Sequence, residues 1–218
     1  MENHMVAASI YLPKDVDDPS HARGDDAHFI AADQQFVGVA DGGEYARRLM
    51  FNSLMITLID GHAKSPMEVI EEAYAKTTTT QGSSTACIIS FSSEDNMLRA
   101  ACVGDSGFLV IRNGAVLYRS SSIDCPYDDR VGTTEDIVAE EIEVRVEKGD
   151  LVILGTDGLF DNMFEREMLE ILLERGGGDM DLVEQCSYVA NYALFNSFDS
   201  SRSSYSIDDI TVIIARID

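Results

Sequence analysis

The 218-residue chain carries 39 Asp and Glu against 16 Lys and Arg, a formal net charge of −23 at pH 7. That charge repels nucleic acid and anionic membrane surfaces, so neither is expected as a partner, whereas hard cations and cation-bridged or basic substrates suit it. Apolar residues make up 45% and charged residues 25%, the balance of a globular chain long enough to bury a large core, and no apolar run reaches the ~20 residues of a membrane span.

In chain order, residues 6–12 read as an edge strand, and Gly24-Asp25-Asp26-Ala27-His28-Phe29-Ile30 sets two adjacent carboxylates before apolar residues. Phe36-Val37-Gly38-Val39-Ala40 is an apolar run ending in Asp41-Gly42-Gly43. A helix follows almost at once, its apolar face comprising Ala46, Leu49, Met50, Ser53, Leu54, Thr57 and Leu58, and Gly61 suits its C-terminal cap. Ser65-Pro66-Met67-Glu68 is a capping box with proline at the first helical position, so a second helix runs to about residue 76. Strands are expected over 85–91, 98–103, 108–112 and 115–119, the last two joined by Asn113-Gly114, whose residue types favour a tight hairpin. Residues 120–137 read as a loop, 142–146 as a strand, and Lys148-Gly149-Asp150 as the turn into the aliphatic strand Leu151-Val152-Ile153-Leu154.

Helices are expected over 163–175 and 181–196, separated by Gly176-Gly177-Gly178. The second presents Leu182, Val183, Cys186, Val189, Ala190, Ala193 and Leu194 as a core stripe. A serine-rich loop over 197–206 precedes the strand 210–215. Strands outside βαβ order, with helices grouped around them, give an α+β architecture of stacked antiparallel sheets covered by helices, in a single domain over 1–218. The cysteines Cys87, Cys102, Cys125 and Cys186 form no CxxC pair, and Cys87 and Cys102 sit in apolar runs. That usage fits a reducing compartment. The beginning, Met1-Glu2-Asn3-His4-Met5, lacks the features of a signal peptide, so the expected location is the cytoplasm or nucleus, or an organelle if a transit peptide precedes it.

One device recurs. Leu151-Val152-Ile153-Leu154-Gly155-Thr156 ends in Asp157-Gly158, the run 36–40 ends in Asp41-Gly42, and Asp208-Asp209 opens the last strand. Each Asp-Gly alone is an ordinary turn pair. Their joint occurrence at strand ends from both halves of the chain points to one shared cation site, because a carboxylate fixed there is costly unless hydrogen bonds or a cation compensate it. Oxygen ligands without His or Cys suit Mg²⁺ or Mn²⁺ rather than zinc.

Six motifs in sequence, Asp25-Asp26-Ala27, Val39-Ala40-Asp41-Gly42, Gly82-Ser83-Ser84-Thr85-Ala86, Val103-Gly104-Asp105-Ser106, Gly155-Thr156-Asp157-Gly158-Leu159-Phe160-Asp161 and Asp208-Asp209-Ile210-Thr211-Val212, resemble those of the metal-dependent protein phosphatases of type 2C (the PPM family), especially its short organellar group. The match covers about residues 24–217. The resemblance implies an αββα sandwich of two antiparallel sheets flanked by helices, and a protein serine/threonine phosphatase acting on phosphorylated proteins, with a monomer favoured. It implies two Mg²⁺ or Mn²⁺ ions, with Asp41 bridging, the Gly42 carbonyl as a ligand, and Asp157 and Asp208 completing one ion's set. Asp25 and Asp26 would support the site, and Asp105 would serve a third, weaker ion. A metal-activated water would then be the nucleophile, with no catalytic Ser, Cys or His.

The chain departs from the family pattern in four places. Asp25 stands where Glu is usual, and His21 where a phosphate-contacting Arg is expected, with Arg23 close by. The segment after Asp41-Gly42 is short, and so is the loop before Asp208. A helix N-terminus so near the site adds partial positive charge, so weak metal binding is expected, and a missing wall of the cleft makes poor substrate discrimination expected too. Two alternatives stand beside this reading. A relative of the fold that binds phosphoproteins without hydrolysing them is one. The other is an aspartyl-phosphate phosphatase, but position 155 is Gly and position 159 is Leu, so Asp157 lacks the required partner two residues away. Asp161 is read as a cap of the next helix.

Overall fold

The computed structural model describes residues 2–14, 23–60, 64–124, 130–133, 137–174, 180–202 and 205–218. His21, Gly61, Cys125 and Gly176-Gly177-Gly178, all singled out in the sequence, lie outside them.

Among the described residues ten strands form two antiparallel five-stranded sheets. One has the order β1 (Met5–Leu12), β10 (Ile210–Ile217), β9 (Leu151–Gly155), β6 (Gly107–Arg112), β7 (Ala115–Arg119). The other runs β2 (Asp26–Ala31), β3 (Phe36–Asp41), β4 (Ala86–Ser92), β5 (Met97–Val103), β8 (Glu140–Arg145). The central strands are aliphatic on both faces because each sheet is covered twice. Val37, Val39, Ile89, Phe108, Val110, Val152, Leu154 and Ile213 pack between the sheets, and the opposite faces meet helices. α1 (Gly43–Asp60) and α2 (Pro66–Thr77) cover the second sheet. α4 (Glu165–Glu174) and α5 (Leu182–Ser197) cover the first, beside the short α3 (Asp157–Phe160). This is the αββα sandwich. Edge strand β8 alternates instead, with Ile142 and Val144 buried and Glu141 and Glu143 exposed, as one-sided burial requires.

Local signals account for the boundaries. Ser65 and Glu68 form the reciprocal capping box, at 3.2 and 2.7 Å, and Asp181 and Glu184 form another for α5. Asn113 and Gly114 both have positive φ, 51° and 79°, as a type I′ hairpin demands. Cys87 and Cys102 are buried cross-strand neighbours with their sulfurs 3.2 Å apart and unbonded covalently, small core residues as read from the sequence.

Some helix assignments need correction. α1 buries Ile56 and leaves Leu58 51% exposed, because Leu58 lies five residues past Ser53, nearly half a turn around the helix. Val183 on α5 is likewise 58% exposed. α4 begins at Glu165, two residues later than expected, where the Glu167 carboxylate accepts the Phe164 N–H at 2.8 Å. The stretch 120–137 also holds a 3-10 turn, Ser121–Asp124, and Val131 bridges to Ser84.

Candidate metal centre

Sheet register places the carboxylates. Asp26 and Asp41 are cross-strand partners at one end of the β2–β3 ladder. In the other sheet Val212 pairs with Gly155, so Asp157, just past β9, and Asp208, just before β10, emerge at the same end. Asp26 joins the two sheets: buried to 4% exposure, it accepts hydrogen bonds from Thr156 Oγ1 and Thr211 Oγ1, both at 2.7 Å. Burial still holds its carboxyl well above the ordinary range, against the two hydroxyl donors.

The backbone of Asp41 is fixed by the serine-threonine motif. Its N–H donates to Thr85 Oγ1 at 2.9 Å, and its carbonyl accepts from Thr85 N at 2.9 Å and Ser84 Oγ at 3.1 Å. Thr85 Oγ1 in turn shares a hydrogen with Ser106 Oγ, 2.6 Å away, tying Asp41 to the turn that carries Asp105. α1 begins at Gly43, so the short junction is real. Gly43 takes φ +61°, and the N–H groups of Gly42 and Gly43 both donate to the Asp25 carbonyl, at 3.1 and 2.7 Å. The Gly42 carbonyl accepts the Ala46 N–H at 3.3 Å, which commits one of its two lone pairs to the helix.

Electrostatics shows that the carboxylates share one field. Burial, then the charges of Asp105, Asp208 and Asp41, push Asp157 up to about 7. Asp41 is raised by burial, opposed by Arg130 and reinforced by Asp208, Asp105 and Asp25. One carboxylate oxygen of Asp105 is buried without a hydrogen-bond partner. A buried carboxylate oxygen without a partner, among other acids, is an arrangement that a cation relieves.

The structure also places residues that sequence reasoning missed. Asp161 ends α3 rather than capping α4; its surface is exposed, but partial desolvation of its carboxyl together with Asp105 and Asp208 raises its pKa, so it borders this acidic group. Asp209 is the buried member of the Asp208-Asp209 pair, and its carboxylate holds the backbone N–H groups of Asp25 and of Lys14, the latter at 2.7 Å. Among the described residues Arg130 and Lys14 face the acids. Arg130 approaches the Asp41 carboxylate at 3.5 Å, a long contact, and Lys14 Nζ lies 2.8 Å from Asp208 Oδ1 and 3.4 Å from Asp25 Oδ2. No short-range pattern announces a pair 194 residues apart. Arg23 lies nearby, its carbonyl accepting from the Tyr11 hydroxyl at 2.9 Å. Gly158 plays a part other than the expected sharp turn. It lies in the first turn of α3, where a Cβ would come within 1.9 Å of the Asp209 carbonyl oxygen.

Among the described residues no three His, Cys, Asp or Glu side chains enclose a single point as they stand. The acids are near enough to shift one another's pKa, but Asp208 leans to Lys14 and Asp41 to Arg130. The donor set is all oxygen, the kind that fits hard divalent ions.

Comparison with known proteins agrees with the fold and gives the family. The profile of the Stage II sporulation protein E (SpoIIE) family matches residues 48–218. The chain is 34% identical over 245 residues to the Drosophila simulans protein phosphatase PTC7 homolog fig, covering 89% of this chain and 77% of that one. Type 2C phosphatases of Arabidopsis and rice are similar too, and the chain spans about half their length, 52 to 58%. The photosystem II phosphatase PBCP superposes with a TM-score of 0.81 at 23% identity, over 98% of this chain and 99% of that one. The catalytic domain of the serine/threonine phosphatase PstP, solved with two manganese ions, does so at 0.71 and 17%, each chain covered to 99%. The chain belongs to the type 2C (PPM) protein phosphatase family.

Proposed function

We propose that the chain is a metal-dependent protein serine/threonine phosphatase, working as a single domain on phosphorylated proteins. The observation that carries this reading is the convergence of Asp41, Asp105, Asp157 and Asp208 at one end of the sandwich, with a buried Asp105 oxygen left unpaired. Asp41, Asp157 and Asp208 supply carboxylate ligands, with the free lone pair of the Gly42 carbonyl beside them. Bound there, two Mg²⁺ or Mn²⁺ ions supply an activated water and charge neutralisation for in-line attack at phosphorus. Asp26 fixes the relative position of the two sheets on which those ligands stand, through Thr156 and Thr211. Arg130 is placed to meet phosphoryl oxygens beside Asp41, a role the sequence pattern had suggested for His21 or Arg23. The PstP structure with two manganese ions supports the ion type.

The helix that begins at Gly43 directs its positive end toward these ligands, which supports the expectation of weak ion binding with activity still rising in the millimolar range. The test is phosphate release from phosphoserine, phosphothreonine and phosphotyrosine peptides. Turnover of the first two is expected with Mn²⁺ or Mg²⁺, lost on chelation and restored by the ion. Full activity after exhaustive chelation overturns the reading. Binding without turnover at any ion concentration selects the non-catalytic alternative.

A further inference from the structure

Lys14 directly follows β1 and Pro13, and its backbone is not free to leave the site. Its N–H donates at 2.7 Å to Asp209 Oδ1, while Asp209 Oδ2 accepts the N–H of Asp25. One buried carboxylate therefore fixes both the base of the Lys14 side chain and one of the acids that its ammonium touches. The ammonium itself lies 2.8 Å from Asp208 Oδ1 and 3.4 Å from Asp25 Oδ2, with the Lys14 side chain 31% exposed.

We propose that Lys14 is a tethered counter-ion of the acidic centre, competing with a divalent ion for the Asp208 carboxylate and so weakening that ion's hold. The proposal rests on the metal-centre reading above. Asp208 Oδ1 already accepts the ammonium and the Asp209 N–H, the latter at 2.9 Å. A Mg²⁺ ion binds oxygen at about 2.0–2.1 Å, well inside the ammonium contact, so the two cations cannot hold the same oxygen direction at once. Ion entry then requires the ammonium to swing away, and the tether keeps it within a side chain's length of the bound ion, where like charges repel. The contact to Asp25 adds a second acid to the same ammonium, which a simple surface pair lacks.

The sign of one effect separates this role from a structural one. If Lys14 merely propped Asp208 in a ligand-ready position, its removal would weaken metal binding. If it competes, its removal strengthens it. Mn²⁺ is titrated calorimetrically into chelator-stripped protein, unaltered and as Lys14→Met, Lys14→Gln and Lys14→Arg. The neutral variants are expected to bind roughly five- to tenfold more tightly, the loss of a partly screened competing ion pair, with Lys14→Arg returning close to the unaltered affinity. Lys14→Gln guards against a methionine-specific disturbance. Unchanged or weaker Mn²⁺ binding in both neutral variants overturns the competition alone. Absence of Mn²⁺ binding to the unaltered protein overturns the metal centre and the competition together.

Discussion

Asp157 shows what a single carboxylate contributes at this end of the sandwich. Burial, and the neighbouring Asp105, Asp208 and Asp41, raise it to about 7, so its surroundings oppose its charged form. Asp41 is in the same condition, with Arg130 opposing the shift. Asp157→Asn and Asp41→Asn keep shape and remove one repelling charge. Each is expected to leave the metal-free melting temperature unchanged or higher, while turnover on a phosphopeptide falls roughly a thousandfold. Near-normal turnover in Asp41→Asn, or unfolding as its only defect, contradicts the ligand role. His28 makes a separate prediction. It is half-buried, with Nε2 3.0 Å from Ser9 Oγ, and loss of solvent around the ring lowers its pKa from 6.5. As pH falls through 6.5 the unfolded chain takes up the proton first, so this contribution to stability is present above pH 6.5 and is lost on going down toward the folded-state value. His28→Gln should therefore shrink the drop in melting temperature between about pH 7.5 and about pH 5.5, and an unchanged drop assigns it to other groups.

Among the elements, α3 meets the chain just before β10 too closely to admit a side chain at Gly158. A Cβ on Gly158 would lie 1.9 Å from the Asp209 carbonyl oxygen, a backbone atom that cannot rotate away. Gly158→Ala is expected to cost about 1–3 kcal/mol in denaturant unfolding and to weaken Mn²⁺ binding by displacing Asp157 from Asp208. Unchanged stability and metal affinity would show that the junction gives way freely. The strands themselves were legible in the sequence because burial on both faces writes continuous aliphatic runs, as in Leu151 to Leu154, and α2 was legible because Ser65, Pro66 and Glu68 encode its cap locally. Helix faces were less secure, since a one-residue extension of the stripe moved Leu58 from core to solvent. Asp41, Asp157 and Asp208 could be picked out as a set from the repeated strand-end pattern. Their supports could not: the bonds of Thr156 and Thr211 to Asp26, of Lys14 to Asp208 and of Arg130 to Asp41 join distant segments, and only the folded register brings those segments together.

Taken whole, the molecule is a sandwich whose two sheets end in acids at the same side, in a chain of net charge −23. Asp26 of one sheet is bonded to both β10 and the turn after β9 in the other, so the placement of the acids depends on how the layers sit together and not on any one loop. Among the described residues no helix is long and apolar enough to cross a membrane. The central claim is that Asp41, Asp157 and Asp208 hold a shared pair of divalent ions, and anomalous diffraction from crystals grown with Mn²⁺ tests it most directly. Two manganese peaks are predicted at the sheet ends, both reached by Asp41 and one also by Asp157 and Asp208, with Lys14 turned away from Asp208. Ordered crystals showing no manganese among these three carboxylates, or manganese bound only elsewhere on the acidic surface, would contradict it.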